Sequence, residues 1–261
     1  MKISPETVLI LSDYDGTFTG GDGAPHPANC EAVERFRREG GRFAFSTGRL
    51  PAVMKKICPD FLSLSNAPLI MANGAILLDP ETGERLSFLP FDGEDGRREI
   101  EDFFTAFPGG EIGVYTADEV YHAVKPGEPL PPPGPWIKIN HFLPNEAEAV
   151  ACRERLTARF GSVFHAFRSG RMLTEAVSRS ATKGTMVGRV RDLLAGRGRP
   201  VETVIAVGDF ENDLDLLAHA DLAFCPENAV PEVKAISRLV LCHHKDGTVA
   251  DLIERIEKGG L

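Results

Sequence analysis

The sequence predicts an α/β protein: a doubly wound parallel sheet of Rossmann-like type, with a smaller α+β unit inserted into it. Three observations carry this reading. Short, continuous apolar runs alternate with amphipathic helical patterns at both ends of the 261-residue chain, and uninterrupted apolar runs are what parallel strands covered on both faces require. Between residues 80 and 179 the texture changes to helix–strand–strand, twice over, which is the pattern of antiparallel pairing. Finally, DYDGT (13–17), FSTGR (45–49), TKGT (182–185) and GDFEND (208–213) each follow a strand-like run. Ligands of doubly wound sheets sit at the carboxyl ends of strands.

Taken in order, VLIL at 8–11 is the first strand. Asn29 is placed to cap a helix that presents Val33 and Phe36 and stops at Gly40-Gly41. RFAF at 42–45 is the second strand, a helix starts at Pro51, and a third apolar run at 68–71 ends in Asn73-Gly74. The insert opens with a helical pattern at 97–107 and strand-like runs at 111–115 and 120–124. PGEPLPPPGP then reads as a stiff connection to the strand WIKINHF. A second helix at 146–160 and strand-like runs at 162–167 and 172–177 close the unit. Beyond it, Thr182 caps a helix carrying Met186, Val187, Val190, Leu193 and Leu194 on one face. A buried strand at 201–207 is followed by a helix at 211–219 with Leu214, Leu217 and Ala218 inward, then by short runs at 222–225 and 239–241. This pattern divides the chain into a core of residues 1–79 and 180–261 and an insert of residues 80–179.

Composition narrows the partners. A net charge of −9 argues against nucleic acid, because neutralising a phosphate backbone needs an excess of Lys and Arg. The five cysteines are scattered without a Cys-x-x-Cys pair, so neither a zinc knuckle nor a disulfide framework is expected. The first apolar run is too short for a signal peptide, and no stretch approaches a membrane span. The expectation is a cytoplasmic protein with free thiols, working on a small molecule, with no nucleic-acid or membrane partner.

Asp13 and Asp15 stand one residue apart, and carboxylates that close raise each other's pKa unless a cation or donor compensates. Asp-Gly turns alone account for one such stretch. Four at one sheet edge supply four aspartates, a hydroxyl, a lysine and glycine amides that approach an anion closely. Mg²⁺ takes one or two carboxylates and leaves room for phosphate oxygens, so the set suits phosphoryl chemistry. GGDG at 20–23 lacks a following Gly-Lys-Ser/Thr and is no ATP loop, and His243-His244 before Lys-Asp-Gly reads as a solvated turn.

The ordered set of DYDGT, STGR, TKGT and GDFEND resembles the haloacid dehalogenase superfamily over nearly the whole chain. The long insert, ANGA at 72–75 and DGTVADLI at 246–253 resemble its Cof-type phosphatase branch, whose members carry an α/β cap domain. The resemblance implies that Asp13 is the nucleophile that becomes an aspartyl-phosphate. It implies that Asp15 is the general acid and base, with its backbone carbonyl on the metal. Thr47, Gly48, Lys183 and Asn212 would hold the phosphate. Asp209 would be the principal Mg²⁺ carboxylate, with Asp213 in support. Arg49, Asn73 and Asn228 lie in motif loops, and Trp136, Lys138, His165, Arg168 and Arg171 are candidate substrate contacts in the insert. The implied activity is hydrolysis of a small phosphorylated metabolite, foremost a sugar phosphate. A phosphotransferase or phosphomutase, or a non-catalytic sugar-phosphate sensor, are the alternatives.

Overall fold

A computed structural model describes residues 4–91, 110–116, 121–125, 128–129, 131 and 135–260. It divides into two compact units, Met1–Ser87 with Lys183–Leu261, and Phe88–Thr182. These divisions fall eight and three residues later than the 79/80 and 179/180 boundaries read from the sequence texture. The expected helix at 97–107 lies outside the described residues, as does most of the proline-rich connection.

The first unit is built on a five-stranded parallel sheet of order β13-β12-β11-β1-β2. Its strands are β1 (Val8–Ser12), β2 (Arg42–Phe45), β11 (Thr203–Val207), β12 (Leu222–Pro226) and β13 (Leu239–Leu241). Every residue of β1 is buried, as its all-apolar run requires. From β1 the chain steps one way to β2, whereas from β11 it steps the other way to β12 and β13. Right-handed crossovers in opposite directions place helices on both faces, and the order reverses between β1 and β11. Helix α1 (Pro27–Arg38) packs on α8 (Thr248–Glu257), and α5 (Lys183–Gly196) packs on α6 (Leu214–His219). Three short helices, α2 (Pro51–Ile57), α3 (Phe61–Leu64) and α7 (Pro231–Ile236), complete the layers.

Several expectations are corrected in detail. Helix α1 starts two residues before Asn29: His26 is its N-cap, with Nδ1 accepting from the Ala28 amide at 3.2 Å. Asn29 is instead buried, donating to the Phe18 carbonyl and accepting from the Ala250 amide, both at 2.9 Å. Residues 211–213 form a 3₁₀ turn before α6, which shifts the helical phase. Leu216 and Leu217 are therefore the buried pair, while Ala218 is exposed. The run at 68–71 yields β3 (Leu69–Met71), which meets β2's end in a single parallel bridge, Ser46 to Ile70. It then turns back into an antiparallel sheet with β4 (Ile76–Leu78) and β5 (Arg85–Phe88), a hairpin layer the sequence texture does not reveal.

The second unit carries an antiparallel sheet of order β7-β6-β8-β10-β9. The strands are β6 (Glu111–Thr116), β7 (Tyr121–Val124), β8 (Trp136–Phe142), β9 (Phe164–Gly170) and β10 (Leu173–Ser178). Helix α4 (Glu146–Phe160), capped by the Asn145 side chain on the Glu148 amide at 3.0 Å, packs against β9 and β10. Ile112, Val114, Trp136, Ile139, Cys152, Leu156 and Phe164 form its core. The substrate-contact candidates here have structural partners: Trp136 is in that core, Lys138 pairs with Glu175 at 2.8 Å, and Arg168 and Arg171 both pair with Glu146. His165 sits beside the Phe167 ring, 5.5 Å between centroids. Among the described residues no helix is long and apolar enough to cross a membrane.

Candidate active site

The reversal between β1 and β11 collects the acids. Asp13 follows β1 and its amide donates to the Val207 carbonyl at the end of β11, 2.8 Å away. Gly208-Asp209 continue β11, and Ser46-Thr47 continue β2 on the other side, with the Ser46 amide on the Ser12 carbonyl at 2.8 Å. Because all three strands run parallel, these residues share one edge.

The center of the site is a buried charge cluster. Lys183, the first residue of α5, places Nζ 2.6 Å from Asp13 Oδ1 and 2.6 Å from Asp213 Oδ1. All three side chains are almost inaccessible, with Lys183 at 2% and Asp213 at 0% exposure. A cation at a helix N-terminus opposes the helix dipole, so it is these two carboxylates that hold Lys183 there. They also raise its pKa, against burial, which alone would lower it. The other Asp213 oxygen accepts from the Asp209 amide at 3.0 Å. Asp209 Oδ1 in turn accepts from the Thr17 hydroxyl at 3.1 Å. Helix α5 is capped from α6, whose Asp215 carboxylate accepts from the Gly184 amide at 3.0 Å.

The geometry demands glycines at two points. Gly16 has φ +72°, and a Cβ on it would stand 2.5 Å from Asp209 Oδ2. A Cβ on Gly208 would meet Asp213 Cγ at 2.4 Å. Thus Gly16 lets the DYDGT loop close on the GDFEND loop, and Gly208 lets the GDFEND loop fold back on itself.

Carboxylate oxygens of Asp13, Asp209 and Asp213 all lie within 4.8 Å of one another. Burial, then the neighboring Asp213, push the Asp13 pKa well above the carboxylate range and that of Asp209 up to about 7. Three carboxylates face one ammonium, and the cluster is short of positive charge. An all-oxygen donor set with that deficit fits a hard divalent cation such as Mg²⁺.

Asp15 is separate from this cluster. Arg49 grips it in a two-pronged pair, Nε to Oδ2 and Nη2 to Oδ1, each at 2.7 Å. The side chain of Asp15 is thus engaged by Arg49 and is not one of the three grouped carboxylates. Thr47 is buried, its hydroxyl accepting from the Arg49 amide at 3.2 Å. Asn212 lies half-buried on the 3₁₀ turn between Asp209 and Asp213.

Two connections exceed what the sequence shows. The Arg49–Asp15 fork depends on β1 and β2 lying side by side, so STGR and DYDGT read separately do not reveal it. Asn228 donates to the Gly16 carbonyl at 2.8 Å and accepts from the His244 amide at 3.1 Å. His244 Nδ1 meets the Thr19 carbonyl at 2.8 Å, so this histidine is a brace for the acid loop rather than a solvated turn residue.

Comparison with known proteins agrees with this architecture. The sequence profile of the haloacid dehalogenase-like hydrolases matches residues 10–129 and 130–253. A phosphoglycolate phosphatase of Methanopyrus kandleri is 25% identical over 254 residues, covering 96% of this chain and 97% of the relative. A 5-amino-6-(5-phospho-D-ribitylamino)uracil phosphatase of Bacillus subtilis is 22% identical, covering 96% and 98%. Among solved structures, a haloacid dehalogenase-like hydrolase from B. subtilis superposes with a TM-score of 0.79 at 21% identity, covering 94% and 98%. A Streptococcus mutans protein gives 0.80 at 18% identity, covering 96% and 98%. The chain belongs to the haloacid dehalogenase-like hydrolases.

Proposed function

We propose that the protein hydrolyses the phosphate monoester of a small metabolite, foremost a sugar phosphate, in two steps that pass through a phosphorylated Asp13. The observation that carries this reading is the buried Asp13–Lys183–Asp213 cluster, with Asp209 against it at the sheet's switch point. Relatives named for phosphoglycolate and for a phosphoribityl compound support a small phosphate ester as substrate.

Asp13, Asp209 and Asp213, with the Asp15 carbonyl, would hold Mg²⁺, which when bound offsets negative charge on the carboxylates and the phosphoryl group. A carboxylate oxygen of Asp13 attacks phosphorus while the bond to the leaving alcohol breaks. Asp15 gives the departing oxygen its proton, then takes one from the water that attacks the Asp13–phosphoryl bond and releases phosphate. Arg49 orients the Asp15 carboxylate for both transfers. Thr47, the Gly48 amide and Asn212 hold phosphate oxygens, and Lys183 neutralizes charge on Asp13 and on the group in transfer. Residues 1–87 and 183–261 act as the catalytic core, and residues 88–182 as the cap unit that selects among esters. Five separate cysteines and an acidic composition support a cytoplasmic setting.

The test is kinetic, with phosphate release measured where water is the only acceptor. Turnover should require Mg²⁺, vanish with chelator, and be poorly supported by Ca²⁺, which prefers more ligands and looser geometry. Asp13→Asn should abolish turnover on every substrate. Asp15→Asn should cost about 10²–10⁴-fold on alkyl phosphates and far less on nitrophenyl phosphate, whose leaving group needs no proton. Equal losses for both variants on both substrates would refute the two roles. Release that depends on an added alcohol would make the enzyme a phosphotransferase.

A further inference from the structure

The turn between β3 and β4 is strained. Ala72 has φ 51° and Asn73 φ 55°, the two non-glycine residues with positive φ among those described, and Gly74 follows at φ 105°. Asparagine tolerates the left-handed region, but alanine enters it only where the surroundings impose it. Such strain collects where a structure needs atoms held in one place.

What this turn holds is the loop at 47–49. The Ala72 amide donates to the Arg49 carbonyl and the Asn73 amide to the Thr47 carbonyl, each at 3.0 Å. Between these two anchors lies Gly48, where a Cβ would stand 2.9 Å from both Nδ2 and Oδ1 of Asn73. The Asn73 side chain is thus packed against the glycine and is itself 1% exposed. A short hairpin needs no buried amide at this point. Glycines at 72 and 73 would make the same turn without strain.

We propose that Asn73 is a positioning residue for phosphate. Its side-chain amide, held against Gly48 by the left-handed turn, fixes the Gly48 backbone and with it the Thr47 hydroxyl so that both meet phosphate oxygens without rearrangement. This rests on the assignment of Thr47 and Gly48 as phosphate-binding groups.

The experiment measures inorganic phosphate affinity by calorimetry in MgCl₂, together with KM and kcat, for Asn73→Gly, Asn73→Asp and Asn73→Ala. Glycine and aspartate both accept positive φ, so they carry the test if the alanine variant fails to fold. Asn73→Gly keeps the turn and loses the side chain. Phosphate affinity should fall about 10-fold and KM rise correspondingly, with kcat changed by less than about 3-fold, the effect of one lost orienting contact. Asn73→Asp keeps size and turn but sets a carboxylate beside a bound dianion, so affinity should fall further, about 100-fold. A purely structural asparagine would lose stability in both variants while the folded protein kept its phosphate affinity. Wild-type phosphate affinity in either the glycine or the aspartate variant overturns the inference. Thr47→Ala separates the two levels. If it weakens phosphate binding and the Asn73 variants do not, only this inference falls; if Thr47→Ala also binds as wild type, the phosphate loop itself is misassigned and the inference falls with it.

Discussion

Asp209 shows how one half-buried carboxylate couples the site to the stability of the fold. Burial, with Asp213 beside it, pushes its pKa up to about 7 from an ordinary 3.8. Between those values the folded chain holds a proton that the unfolded chain has lost, so in metal-free protein this contribution is complete below about pH 4 and disappears as pH rises through about 7. Metal-free protein should therefore melt at a higher temperature at pH 6 than at pH 8, and MgCl₂ should restore the pH 8 value. Scanning calorimetry with and without chelator checks this, and a metal-free melting temperature that does not fall from pH 6 to pH 8 would contradict the charge deficit. The acids themselves are readable in the sequence only as a set, because one Asp-Gly pair is an ordinary turn whereas two acidic stretches, each after an apolar run, are brought to one edge by a parallel sheet. The partner of Asp15 is not, since 34 residues separate it from Arg49 and only strand adjacency joins them.

At the scale of elements, helix α5 carries the lysine and sets its position by how closely it lies on α6. A Cβ at Gly184 would stand 2.4 Å from the Asp215 backbone carbonyl, whereas a Cβ at Gly188 meets nothing within 4 Å. In an open helix Gly→Ala is favorable by about 1 kcal/mol. Gly188→Ala should therefore stabilize by about that amount, and Gly184→Ala should destabilize by about 1–3 kcal/mol through overpacking. Urea titrations of the two variants, one turn apart on the same helix, provide the comparison; equal effects would mean that α5 does not bear on α6. The sequence shows α5 through its apolar stripe but misplaces the inward face of α6, because three residues of 3₁₀ turn advance the phase without altering composition. Helix α1 fails in the opposite sense. Asn29 is a good cap residue, yet the fold uses its two-sided amide to tie the Phe18 and Ala250 backbones together and lets His26 cap instead.

The whole molecule is two cores on one chain, and a single tryptophan distinguishes them. Trp136, the one tryptophan of the sequence, is fully buried in the core of the second unit, so its fluorescence follows that unit alone. His141 lies in the same unit, 3.6 Å from the Cys152 sulfur, and burial pushes its pKa down to about 4 from 6.5. As pH falls, the unfolded chain takes up this proton first. The stability held by neutral His141 is complete above about pH 6.5 and is lost toward pH 4, about 3 kcal/mol in all. The midpoint of tryptophan-detected unfolding should drop over that window, and His141→Leu should flatten the drop. An unaltered slope in the variant would show that other groups set it. That an insert exists is legible from the change in texture near residue 80. Its point of departure is less so, because the β4–β5 hairpin is antiparallel like the insert but belongs to the first unit.

The reversal of strand order at β1 and β11 has a consequence for biosynthesis. Asp13 leaves the ribosome early, but the lysine that neutralizes it comes 170 residues later, and the strand that completes its edge follows that. At about 5–20 residues per second, that interval is about 10–30 s. During it the whole of the second unit emerges, with its own core and every strand of its own sheet. The nascent chain thus carries a finished insert before its first unit can close, and β1, which can meet β2 early, waits for β11 on its other side until the insert has been made.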